Sequence, residues 1–182
     1  MQELSERELF EALHYAKSID QETGAKILQQ FQIEQAALAQ TLFCIFPAFI
    51  AEQHQDMAHL FMDLCFDALC VFQHAFGPLP SQSEMDVYWL EKQSVLLDAE
   101  LQSLIQERPM DDKIRSKLQD RYARRSQEET AQRGLVNFMK AAIEDFASED
   151  INRAPAIKIT QTMLLIAIRL FSNLYRHANR AA

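Results

Sequence analysis

The strongest candidates for chemistry are four polar side chains in an otherwise apolar stretch. Between Met57 and Phe76 nearly every residue is apolar, the exceptions being His59, Asp63, Asp67, Gln73 and His74. Steps of four, four and seven put His59, Asp63, Asp67 and His74 along one narrow stripe of a helix, and Glu52 and Asp56 extend it upstream. Such a stripe has three possible roles. It faces water, as charged rows on helices commonly do. It pairs with a basic row on another helix, for instance Arg169, Asn173, Arg176 and Arg180. Or Asp56, His59 and Asp63, at steps of three and four, ligate a metal, with a further ligand drawn from Glu34, Glu91, Asp98 or Glu144. Carboxylate-bridged di-metal bundles use Glu-x-x-His on two helices. Asp56-x-x-His59 puts an aspartate in the place of that glutamate and does not complete that pattern, so the metal reading is the weakest of the three.

A second constellation lies further on. Lys113, Arg115, Lys117, Arg121, Arg124 and Arg125 fall within thirteen residues that hold one acid and one tyrosine, Tyr122. A basic helix with an aromatic side chain suits phosphate backbones. No nucleic-acid module accompanies it, and the net charge of −8 opposes binding to a polyanion. A solvated face, or a row paired within the protein, is the simpler expectation, and nucleic acid is disfavoured as a partner.

No other pattern assigns a reaction. There is no glycine-rich phosphate loop, no Gly-x-Ser-x-Gly and no His-Glu-x-x-His. No motif implies a cofactor, and no catalytic residue is assigned. Cys44, Cys65 and Cys70 form no Cys-x-x-Cys and read as small packing residues with reduced thiols, which fits the cytosol. The opening MQELSERELFEAL lacks the basic and apolar regions of a signal peptide. Met57–Phe76 comes nearest to a membrane span, but its charges make it a buried core helix, so no membrane span is expected.

The elements that must position these residues are helices. Three glycines and five prolines among 182 residues leave few turns, and apolar residues recur at three- and four-residue steps throughout. The expected architecture is all-α: one domain over residues 1–182, a bundle of six or seven helices around a long apolar central helix at about 48–76. Asp20 caps a second helix, and Pro47 reorients the chain. Gly77–Pro80 is a loop, and Ser81 with Glu84 forms a capping box for the next helix. Ser126 with Glu129 offers a break in the basic helix, and Pro155 opens the last one at its first position. Residues 1–107 hold 4 basic and 17 acidic side chains, residues 108–182 hold 14 and 9, so the two halves are expected to pair with each other.

With twelve phenylalanines and seven methionines, such a bundle has a large core and material for an apolar contact surface. The expected function is that of a cytoplasmic protein-interaction bundle, an adaptor or regulator, with a protein partner or a second copy of itself. The alternative is a ligand- or metal-binding bundle, an enzyme included, that uses the polar stripe. A second alternative is a nucleic-acid-associated protein that uses residues 113–125.

Overall fold

A computed structural model describes residues 1–104 and 132–181, together with Lys117, Arg121 and Arg124. The fold is all-α, with no strand among the described residues. Its helices are α1 (Glu6–Ser18), α2 (Gln21–Glu34), α3 (Ala36–Gln40), α4 (Phe46–Ala51), α5 (Gln55–Phe76), α6 (Val87–Leu104), α7 (Arg133–Ser148) and α8 (Ile157–Ala181).

Local sequence explains most of the ends. Ser5 and Glu8 close a reciprocal capping box on α1, with the Ser5 amide donating to Glu8 Oε2 at 2.8 Å. Asp20 caps α2 as expected, its carboxylate accepting from the Thr23 amide at 2.9 Å. The expected loop after α5 forms around Gly77, whose φ of 88° is open to glycine at little cost. The capping box at Ser81 does not form: Ser81 caps nothing with its side chain, residues Gln82–Glu84 make a single 3-10 turn, and Asp86 starts α6 by accepting from the Tyr88 amide at 2.9 Å. Pro155 lies inside a 3-10 segment, Ile151–Ala156, and α8 begins at Ile157. Ser126 and Glu129 lie outside the described residues.

The course around Pro47 also differs from expectation. The chain bends by 120° between α2 and the helical run Ala36–Ala51, and Gln35 is the residue between them. Pro47 is carried within that run. Thr41–Ile45 widens into a π turn, and the Phe46 amide donates to the Thr41 carbonyl five residues back. A proline clashes with the carbonyl four residues before it in a regular helix, and the wider turn relieves that clash. The second break falls at Glu52–His54, so the central helix begins at Gln55, not near residue 48. The side chain of His54 caps it, accepting from the Asp56 amide at 3.2 Å.

The core is shared between α5 and α8. Helix α1 lies on α5 through Ala12 and Ala16, whose small side chains allow close approach. Helices α4 and α7 flank α5 and α8. From Met163 to Tyr175 only Asn173 escapes full burial, so α8 is as enclosed as α5. Ile151–Ala178 is long and apolar enough to cross a membrane, and 61% of its most apolar stretch is buried inside the fold, as the core helix of a bundle would be. The acidic first half does meet the basic second half: Glu3 lies 3.7 Å from Arg133, and Asp56 lies 3.1 Å from Arg153.

Candidate functional site

The polar stripe of α5 is divided among its neighbours. Asp56 is exposed and turned to Arg153. His59 is exposed, with Nε2 at 3.1 Å from the side-chain Nε2 of Gln55, and Asp63 and Glu52 are exposed as well. Asp67 is buried to 4% exposure and accepts a 2.5 Å bond from Lys17 of α1. His74 is exposed, and its ring is stacked with that of Tyr15 of α1 at 4.6 Å. Helix α1 thus meets the C-terminal half of the stripe through Lys17 and Tyr15, and Lys17, not the basic row of α8, pairs with Asp67.

Asp56, His59 and Asp63 share a face, but no group of three or more His, Cys, Asp or Glu side chains that could hold a metal occurs among the described residues. The chain's one Glu-x-x-His, Glu11 to His14 on α1, escaped the sequence reading. Both of its ends are exposed, and Glu11 pairs with Arg7 at 2.9 Å. Of the basic segment, Lys117, Arg121 and Arg124 are exposed; Lys113, Arg115 and Arg125 lie outside the described residues. Two cysteines match expectation. Cys65 and Cys70 are buried, and burial pushes the Cys70 thiol up to about 12. Cys44 does not, because its position on the π turn faces solvent.

Burial raises the Asp67 carboxyl above its ordinary value, against the lowering effect of Lys17, and the nearby charge of Asp63 adds to the rise. The folded chain therefore holds this proton more tightly than the unfolded chain. Stability from this group is fully present below the ordinary aspartate range and is lost as pH rises through the elevated value. Denaturant unfolding of Asp67→Asn should show it. The variant gains stability relative to the parent as pH climbs through that window, and the difference is then constant. A difference that stays flat, or runs the other way, would contradict the assignment.

A site that the sequence did not reveal lies under α6. There Trp89, Leu90 and Leu97 face Leu38 of α3 and Leu170 and Leu174 of α8 across a cavity of about 310 Å³. The Trp89 ring is stacked on His177 at 4.5 Å. Gln35, only 2% exposed, reaches this cavity, and its Nε2 donates to the Pro80 carbonyl at 2.5 Å. No periodicity reveals such a cavity, because its walls come from three segments far apart in sequence, at residues 35–41, 82–97 and 170–174. The outer side of α6 is also apolar: Val87, Tyr88 and Val95 are 65%, 83% and 68% exposed.

No family model, no curated protein and no solved structure matches the chain.

Proposed function

We propose that the chain is a protein-interaction bundle that works as a homodimer, with the outer face of α6 as its contact surface. The observation that carries this reading is that α6 is apolar on two sides. One side is used inside the fold, and Val87, Tyr88 and Val95 remain exposed on the other. A helix apolar around its circumference belongs in an interior, and a second subunit supplies one.

The outer face is also self-complementary. Tyr88, Glu91, Lys92 and Val95 share one face, and the four are placed symmetrically about the midpoint between Glu91 and Lys92. In a two-fold contact each residue meets the counterpart of its partner. An antiparallel pairing centred there sets Tyr88 against Val95 of the other copy and Glu91 against Lys92. Both charges are exposed, and among the described residues neither is ion-paired. The three unbridged cysteines suit a reducing compartment, which supports placing this interaction in the cytoplasm.

Sedimentation velocity over a range of concentrations tests the proposal. The parent chain should associate to a dimer, and Val95→Lys should weaken it by about tenfold or more, since it buries an unpaired charge. Glu91→Lys should weaken the dimer less, and the double swap Glu91→Lys with Lys92→Glu should restore it. A monomer at every concentration overturns the reading, and a dimer indifferent to Val95→Lys removes α6 from it.

A further inference from the structure

We infer that residues 2–5 are a latch, which closes across the start of α7 and opens as one unit while the rest of the bundle stays folded. The latch does not depend on the dimer face of α6. Residues 1–5 belong to no helix, and Ser5, at φ −63° and ψ 161°, is extended. Among the described residues, the polar links of this strap beyond α1 go to one place. Gln132, only 1% exposed, lays its side-chain amide along the strap: Oε1 accepts from the Leu4 amide at 3.0 Å, and Nε2 donates to the Gln2 carbonyl at 2.8 Å. A neighbouring β-strand would offer the same donor and acceptor pair. Between these two bonds the Glu3 carboxylate turns to α7. Its Oε1 accepts from the amides of Arg133 at 3.1 Å and Gly134 at 3.3 Å, and its Oε2 lies 3.7 Å from Nε of Arg133.

The two helices that meet here depend on the strap unequally. Helix α1 is closed by its own capping box, Ser5 with Glu8, and needs nothing from residues 2–4. Helix α7 has no cap of its own. Gln132 stands at its N-cap position, but the Gln132 side chain is committed to the strap and caps nothing. The first amides of α7 would otherwise lack an acceptor, and Glu3 supplies one from the far end of the chain. Its negative charge also suits the positive end of the helix dipole. Gly134 lets α1 come close at this point, since a Cβ there would lie 3.1 Å from the Leu9 side chain.

Opening is local because little apolar surface holds the strap: Gln2, Glu3 and Ser5 are exposed, and Met1 and Leu4 are only partly buried. It is all-or-none because of Gln132. Releasing one of its two bonds would leave a buried polar atom unpaired, so the two break together, and Glu3, which lies between them, goes with them. Gln132 is also where the chain joins α7 after residues 105–131, the stretch that carries the basic residues 113–125. The latch therefore governs how firmly that stretch is fastened to the bundle.

Amide hydrogen exchange on the full chain, read residue by residue by NMR, tests the latch. In the parent, the amides of Leu4, Arg133 and Gly134 should exchange through one common opening, and faster than that of Leu69 in the core of α5. Gln132→Met removes both bonds of the side chain without touching Glu3, and it should speed exchange at Gly134 by about tenfold. Glu3→Ala removes the cap without touching the bond from Leu4 to Gln132, and it should speed exchange at Leu4 by a similar factor. Leu9, whose amide donates to the Ser5 carbonyl at 2.9 Å, should keep its parent rate in both variants. Effects confined to the amide that lost its own partner overturn the latch, since the links would then be independent. A Leu9 amide that speeds up with the others overturns it as well, because α1 would be opening too. So does a strap that exchanges only as slowly as Leu69, since it would then leave only when the whole chain unfolds. If Gln132→Met does not fold, Glu3→Ala, at an exposed side chain, decides alone.

Discussion

Phe72→Ala should lower stability by about 3–5 kcal/mol, the usual cost of removing a fully buried phenylalanine. Phe72 sits at 0% exposure where the two central helices cross. Its ring lies 5.8 Å from Phe76 on its own helix, and 5.5 Å from Phe171 and 5.8 Å from Tyr175 on α8. Phe171 continues the cluster to Phe31 of α2 at 6.0 Å. Truncation removes three ring contacts and leaves a void between helices that many other contacts hold in place, so collapse into it is limited. In a chain of this size the expected fall in melting temperature is on the order of 10 °C. Tyr175→Phe is the matched control. It keeps the ring and removes only the hydroxyl that donates to the Gly77 carbonyl at 2.7 Å, so it should cost about 1 kcal/mol. Urea unfolding of both variants checks the ratio. If Phe72→Ala costs no more than Tyr175→Phe, the crossing of α5 and α8 is not the centre of the core.

Much of this core is legible in the sequence. The three- and four-residue rhythm marks α1, α5, α7 and α8, and Asp20 and Gly77 mark ends, because these signals act within one or two turns of helix. What the rhythm does not carry is where a helix bends. Pro47 is the obvious breaker, yet the π turn ahead of it absorbs the clash, and the sharp bend falls at Gln35, which carries no breaker signature. The candidate site was legible only as a stripe. Periodicity places Asp56, His59, Asp63 and Asp67 on one face but cannot say which neighbour covers each of them. Lys17 reaches Asp67 because Ala12 and Ala16 let α1 lie close on α5, a packing outcome absent from the spacing. The cavity under α6 was invisible for the same reason: Gln35, Trp89 and Leu174 meet only in three dimensions.

Asp56 illustrates how such a residue is used once its neighbours are known, and the variant that exposes this is Arg153→Ala, expected to cost about 2–3 kcal/mol. The Arg153 side chain is only 14% exposed. Its guanidinium donates to the Phe146 carbonyl at 2.8 Å, one of the carbonyls in the last turn of α7, and lies 3.8 Å from the Phe146 ring centroid. Glu149 at 3.3 Å and Asp56 at 3.1 Å complete its surroundings. A cation at the C-terminal end of a helix is favoured by the helix dipole, and a planar guanidinium can stack on a ring while bonding a carbonyl in its own plane. The two carboxylates are half or more exposed, so water weakens both ion pairs, and Asp56→Asn or Glu149→Gln should each cost below about 1 kcal/mol. Arg153→Lys should recover only part of the loss, because an ammonium cannot make the stack and the carbonyl bond together. Thermal unfolding of the four variants separates these contributions. Should Asp56→Asn prove as costly as Arg153→Ala, the ion pair would be what joins the start of α5 to the end of α7. The geometry instead gives that role to the carbonyl and ring of Phe146, with Asp56 as a weaker outer partner.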